Sequence, residues 1–333
     1  MQKKIAVIGA GSFGTCLANQ LAKNGQMVTI VARDPDVVES INSKNINSKY
    51  FPDINLNKNL IASSELNSLE TFSHIVIALP TQAIRATTAK MPSMKKCKII
   101  TASKGIEIGT LKLPMEIIKE VHPEILSENI SVLSGPSFAI EVLEGSPTAV
   151  SIASSNIDTA KETQELFHAP HFRAYINQDP LGLEICGALK NVVAIAAGAC
   201  QGLKFGKNSH AALMTRGLGE IITIGSKLGA DPKTFYSLGG VGDLFLTCSS
   251  DKSRNYRVGL GLAAGLSKEQ IIQKTKTTAE GIPTSRAAYQ LACKLETKSS
   301  IIRKLYSVLY EDLDVQTAVK DLLHSEASAE FSD

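Results

Sequence analysis

Short runs of apolar, largely β-branched residues recur along the first half of the chain: KIAVIG (4–9), VTIVA (28–32), HIVIAL (74–79), KIITA (98–102), ISVL (130–133) and TAVSI (148–152). Each is followed by a turn signal and then by a segment with helical spacing, such as 13–23 or 158–167. This alternation predicts strands joined by crossover helices, the order of a parallel α/β sheet. A last strand, FRAYI (172–176), leads into Asn177-Gln178-Asp179-Pro180-Leu181-Gly182, whose turn-forming residues mark the expected domain boundary.

Beyond that point strand signals fade. Apolar positions at helical spacing run through 183–201, 211–228, 268–274, 284–294 and 300–309, so the second half is expected to be mainly helical. The expected organisation is a sheet domain over 1–180, a helical domain over 181–323 and a polar tail, 324–333, expected to be disordered. No internal repeat is evident.

A length of 333 residues with 44% hydrophobic composition supplies material for two cores. Thirty-five basic against 32 acidic residues leave +3, with no dense basic block, which points away from a nucleic-acid partner. The six cysteines lack any C-x-x-C pair, as expected in a reducing compartment. The opening MQKKIAVIGAGSFG passes from a short apolar run straight into glycines, unlike a signal peptide. The longest uninterrupted apolar stretch, 192–200, is less than half the roughly 20 residues of a membrane span. A cytoplasmic chain without membrane insertion is the expectation. His168-Ala169-Pro170-His171 has no ligand partner nearby and Pro170 breaks any helix, so no metal is expected. Gly135-Pro136-Ser137-Phe138-Ala139 is not the G-x-S-x-G elbow of a serine hydrolase.

Gly9-Ala10-Gly11-Ser12-Phe13-Gly14 matches G-x-G-x-x-G directly after a predicted strand and at the start of a predicted helix, the context a dinucleotide-binding loop requires. Gly9 would make the tight turn, Gly11 would let the backbone approach a pyrophosphate, and Gly14 would allow close helix–sheet packing. Where NAD-specific chains place an acidic residue on the ribose, this one reads Val31-Ala32-Arg33-Asp34. Arg33 is suited to the adenine or a 2′-phosphate; Asp34 is suited to the 2′-hydroxyl or to capping the next helix through Asp34-Pro35. NADPH is therefore expected to serve at least as well as NADH.

EICGALKNVVAIAAG (184–198) sets one lysine, Lys190, inside an apolar helix. Burying an ammonium costs several kcal/mol unless it is paired, or lowers its pKa. Lys190 either snorkels to the surface, pairs with Glu184 or Asp243, or does chemistry. Four polar clusters lie among apolar surroundings: Ser103-Lys104-Gly105, Gly135-Pro136-Ser137, Gly242-Asp243 and Ser253-Arg254-Asn255. Each also has a plain reading, as a turn, a helix start or a solvated loop.

With these motifs in order, GAGSFG (9–14), ASKGIE (102–107), SGPSFA (134–139), ALKNVVAIAAG (188–198), GLKFGKNSHAALMTRGLGE (202–220), GGVGDLFLTCSS (239–250), SRN (253–255) and AEG (279–281), the chain resembles the bacterial-type NAD(P)-dependent glycerol-3-phosphate dehydrogenases. The resemblance implies a Rossmann-type doubly wound sheet joined to a helical domain like that of 6-phosphogluconate dehydrogenase. It also implies a homodimer and the reversible reduction of dihydroxyacetone phosphate to sn-glycerol 3-phosphate by NADH or NADPH, a step feeding glycerophospholipid synthesis. Lys190 would be the general acid/base. Lys104, Gly135, Ser137, Asp243, Ser253, Arg254 and Asn255 would meet the substrate, with Lys104 and Arg254 also at the cofactor. Gly9, Gly11, Ser12, Phe13, Gly14, Arg33, Ala139, Thr278 and Glu280 complete the implied cofactor site. Phe13 stands where tyrosine is also common, and Thr277-Thr278 where valines are usual. Two rival readings remain: a reductase of a hydroxyacid, ketopantoate or a cyclic imine, and a non-catalytic NAD(P)-binding regulator.

Overall fold

The computed structural model describes residues 2–66, 69–275 and 279–323. Among the described residues, eight strands form one sheet: β1 (Lys4–Ile8), β2 (Met27–Val31), β3 (Leu60–Ser63), β4 (His74–Ile77), β5 (Lys98–Thr101), β6 (Ile130–Ser134), β7 (Thr148–Ala153) and β8 (Phe172–Asn177), in the order β3-β2-β1-β4-β5-β6-β7-β8. The first six are parallel, β7 runs antiparallel to β6, and β8 is parallel to β7. The all-parallel expectation is thus corrected at one pairing, and β3 is added to the expected strands.

Helices α1 (Ser12–Lys23), α2 (Pro35–Lys44), α3 (Thr81–Thr88), α4 (Pro114–Val121), α5 (Ala139–Leu143) and α6 (Ile157–Phe167) connect the strands. Buried residues such as Val7, Ile30, Val76 and Ile100 pack towards α1, while Ile8, Ile75, Ile77 and Ile99 pack on the opposite core with Ile84, Ile117 and Ile118. Strand order reverses between β1 and β4, so the crevice at the carboxyl ends of these strands is where a doubly wound sheet takes its ligand.

The second half is helical: α7 (Pro180–Gly202), α8 (Lys207–Lys227), α9 (Asp243–Cys248), α10 (Arg254–Ala263), α11 (Lys268–Thr275), α12 (Gly281–Lys294), α13 (Ser300–Tyr310) and α14 (Val315–Leu323). α7 starts cleanly because Asp179 accepts from Gly182 N at 2.9 Å and Pro180 occupies the first turn. By length and composition α7 is apolar enough to cross a membrane, yet 94% of that stretch is buried within the protein. It packs against β6 and β7 on one side and α8, α9, α10 and α12 on others.

Glycines set the closest of these contacts. A Cβ on Gly198 would come within 2.0 Å of Tyr256 O, and one on Gly259 within 2.0 Å of Ile195 O, so α7 and α10 cross backbone to backbone. That crossing fixes α10, and with it the 253–255 cluster, against the helix that carries Lys190. All six cysteines are free and five are buried.

Candidate active site

The glycine loop leaves β1 through Gly9, whose φ of +111° is a left-handed conformation and whose N–H donates to Val31 O at 3.0 Å. A Cβ there would lie 2.6 Å from Ala78 O. Gly14, on the first turn of α1, sits so close to Gly9 that its Cβ would fall 1.9 Å from Gly9 O. Gly11 is the N-cap of α1, has no capping side chain, and its added Cβ would meet only open space. These three positions have the properties a pyrophosphate needs: a tight turn, close packing behind it, and uncapped helix N–H groups facing an open cradle. The residues present therefore fit a dinucleotide.

Across the cleft, of about 670 Å³, lies a buried charged centre. The Lys190 Nζ, on α7, donates to Asp243 Oδ1 at 2.5 Å and to Thr247 Oγ1 at 2.9 Å. Lys104 Nζ, just beyond β5, donates to Asp243 Oδ2 at 2.7 Å, and Ser134 Oγ at the end of β6 donates to the same oxygen at 3.3 Å. Lys190 and Asp243 are 6% and 1% exposed, so neither charge is relieved by bulk water. Burial pushes the Lys190 amine down to about 8; Asp243 opposes the fall and Lys104 adds to it. Burial also works against the Asp243 carboxylate, but Lys104 and Lys190 beside it hold it below the usual carboxylate range. Of the alternatives open for Lys190, the structure pairs it with Asp243 and not with Glu184. Glu184 instead accepts from Met115 N at 3.0 Å, and burial raises its carboxyl to about 8.

Asp243 reaches this position because Leu238–Gly242 forms a wide turn before α9, kinked at Gly240, whose backbone is not helical. Gly240 has no room for a side chain there, since a Cβ would lie 2.2 Å from Phe235 O. The turn delivers Asp243 as the first residue of α9. Thr247, one turn on, donates to Asp243 O at 2.6 Å and so holds its own oxygen towards Lys190.

The third component is the N-terminus of α10. Ser253 is its N-cap and accepts from Tyr256 N at 3.2 Å, while Asn255 Oδ1 accepts from Gly281 N at 2.9 Å. Their acceptor capacity is engaged by the backbone, leaving the Ser253 O–H and the Asn255 amide as donors. Arg254 spans to the glycine loop, donating to Ser12 Oγ at 2.5 Å, and its burial lowers the guanidinium pKa. Glu280 reaches back to the sheet domain, accepting from Thr81 N at 3.4 Å, and burial raises its carboxyl to about 7.

One cleft thus gathers Gly9, Gly11, Ser12, Phe13, Arg33, Lys104, Ser137, Ala139, Lys190, Asp243, Ser253, Arg254, Asn255 and Glu280. Phe13 lies under Lys104, with Nζ 5.6 Å from the ring centroid. Gly14 packs behind the cradle. Gly135 does not line the cleft: it packs on Val150, where a Cβ would lie 2.7 Å from Cα, and its carbonyl accepts from Ser137 Oγ at 2.9 Å. Pro136 lies just ahead of a helix start, since α5 begins at Ala139 with Phe138 as its N-cap. Asp34 caps α2, accepting from Asp36 N at 3.3 Å, and also pairs with Lys49. Thr278 lies outside the described residues, as does the tail 324–333.

Sequence reasoning passed over Thr247 and Asn191, both buried and both lining the cleft. The signals were there: Thr247 stands four residues after Asp243 on one helical face, and Asn191 adjoins Lys190.

With a pyrophosphate cradle on the sheet and a buried amine opposite it, the chain is an NAD(P)-dependent oxidoreductase of the class that joins a Rossmann domain to a helical one. The model of the NAD-dependent glycerol-3-phosphate dehydrogenase N-terminus matches residues 4–160, and that of its C-terminus matches 179–320. The chain belongs to this family. It is 43% identical to a glycerol-3-phosphate dehydrogenase [NAD(P)+] of Geobacter sp. (strain M21) over 333 residues, 99% of each chain. It is 42% identical to the protein of that name from Enterococcus faecalis, over 99% of this chain and 98% of that one. The crystal structure of glycerol-3-phosphate dehydrogenase from Coxiella burnetii superposes with a TM-score of 0.91 at 37% identity, covering 97% of this chain and 99% of that one.

Proposed function

We propose that the protein interconverts dihydroxyacetone phosphate and sn-glycerol 3-phosphate with NAD(P)H, using Lys190 as general acid and base. The observation that carries this reading is the setting of the Lys190 Nζ. Two of its three N–H groups are engaged by Asp243 Oδ1 and Thr247 Oγ1, which leaves the third for an oxygen entering the cleft. When bound, the dinucleotide supplies the hydride in reduction and takes it up in oxidation; Gly9, Gly11, Ser12, Arg254 and Glu280 are the residues to hold it.

In reduction, the carbonyl oxygen gains negative charge as the hydride arrives. The Lys190 ammonium stabilises that charge by a hydrogen bond and then gives up its proton to the oxygen, with the Lys104 cation nearby. In oxidation, neutral Lys190 removes the hydroxyl proton. An amine lowered to about 8 has both forms accessible near neutrality, which a free lysine does not. Asp243 serves as the shared acceptor that keeps both ammoniums in place.

The phosphate monoester fits at the start of α10. Helix N–H groups, the Ser253 hydroxyl, the Asn255 amide and the Arg254 guanidinium are all donors, the polarity a dianion needs. A homodimer follows from the family resemblance, and a reducing, cytoplasmic setting from the six free thiols.

The test follows NADPH absorbance with dihydroxyacetone phosphate, ketopantoate or a cyclic imine as sole acceptor. Turnover on the triose phosphate alone supports the assignment. Turnover only on one of the others reassigns the substrate, and tight dinucleotide binding without turnover on any of them makes the protein a binding regulator.

A further inference from the structure

The cleft's far end, opposite the lysine centre, carries an ion pair that the chemistry above does not use. Lys49 Nζ lies 2.8 Å from Asp34 Oδ2, and Arg33, Asp34 and Lys49 all line this end. Asp34 follows β2 by a short connection, the place where Rossmann chains usually read the adenosine ribose.

Both partners are fixed at their backbones. Asp34 is held as the N-cap of α2. Lys49 belongs to a loop pinned by Asn47, which is wholly buried: its Nδ2 donates to Ala10 O at 3.1 Å, inside the glycine loop, and to Thr15 Oγ1 at 2.8 Å on α1. Its Oδ1 accepts from Lys49 N and Tyr50 N, each at 3.3 Å. The lysine is thereby tied to the loop that would cradle the pyrophosphate, leaving only its flexible side chain free to choose a partner. The pair itself is exposed, 54% and 37% for the two side chains, and exposed pairs are weak enough to be exchanged for another partner.

We propose that the Asp34–Lys49 pair sorts the two dinucleotides: Lys49 leaves Asp34 for the 2′-phosphate of NADPH, and Asp34 leaves Lys49 for the ribose diol of NADH. Arg33 supplies a second cation to the phosphate. One ion pair thus accommodates both cofactors, because each partner of the pair recognises one of them. This rests on the reading of the cleft as an NAD(P) site.

The test measures dissociation constants of NADPH and NADH for the full chain by cofactor fluorescence, with 2′,5′-ADP and ADP as competitors. Lys49→Met should weaken NADPH and 2′,5′-ADP by about tenfold, the scale of one charge-assisted hydrogen bond at an exposed site, and leave NADH within about twofold. Asp34→Asn keeps a capping side chain and should weaken NADH by several-fold while leaving NADPH unchanged or tighter. Lys49→Arg should keep NADPH binding. If both variants shift both cofactors equally, or lower the melting temperature with the NADPH/NADH ratio unchanged, the pair is a helix-and-loop fastener and the inference falls. If the unaltered protein binds neither nucleotide, the cofactor reading fails first, and that result is visible before any variant is made.

Discussion

Asp243→Asn removes the carboxylate lying between two ammoniums, Lys190 at 2.5 Å and Lys104 at 2.7 Å, while keeping the shape of the side chain. At an effective dielectric of about 20, unit charges about 4 Å apart interact by about 4 kcal/mol, or about 3 pKa units. Lys190, already lowered to about 8 by burial, would therefore fall further, to a value well below neutrality, with Lys104 now opposing its protonation alone. Reduction needs the ammonium, so its rate is lost as pH rises through that value. At pH 7 only a small minority of the variant would carry the proton, and reduction should slow by about 100-fold. The assay is initial-rate NADPH oxidation with dihydroxyacetone phosphate across about pH 5 to 9, with NADPH affinity measured in parallel as a check on folding. Adding Lys104→Met should move the inflection back upward, since it removes the opposing charge. A variant that keeps its inflection near that of the unaltered protein, at normal kcat, would refute the role given to Asp243.

Lys190→Ala should lower kcat by about 10² to 10⁴ with NADPH binding retained, read by turnover and fluorescence titration. Arg254→Ala should raise KM for the triose phosphate by an amount equivalent to about 2 to 4 kcal/mol; an unchanged KM would place the guanidinium away from the phosphate. Gly259→Ala drives a methyl group into Ile195 O and should cost about 2 kcal/mol or more in a urea titration, by prising α10 from α7. Glu162 contacts Lys3, Lys98 and His74 at the amino ends of β1, β5 and β4, the end of the sheet away from the cleft. Burial alone would raise its carboxyl, but Lys98 and Lys3 hold it at about 2, while burial holds His74 at about 4. Both values lie below those of the unfolded chain, so protons bind the unfolded state first and stability is lost as pH falls from about 6.5 towards 2. Glu162→Gln should flatten the acid limb of that loss and cost about 1 kcal/mol at neutral pH, allowing for solvent screening.

The sheet was legible wherever strands are continuous β-branched runs, as in KIAVI and HIVI. β3 escaped because LIAS is short and leaves Ile61 exposed between two buried positions, a weak alternation in an asparagine-rich setting. The reversed direction of β7 has no sequence signal, since periodicity does not encode strand polarity. α10 was hidden by its glycines, which lower helical propensity but are the price of its backbone contact with α7. At the site, one lysine in an apolar helix advertised itself. Its partner stayed open between Glu184 and Asp243, because whether Asp243 faces Lys190 or only a ligand depends on a glycine turn whose path no local pattern specifies.

α7 is at once a wall of the sheet domain's core and the axle of the helical bundle. Neither half can come apart without stripping the apolar surface this rod shares with the other, so heat or denaturant should melt the molecule in one transition. Activity and structure would then vanish together, and a fragment ending before Pro180 would be left with an uncovered flank along β6 and β7.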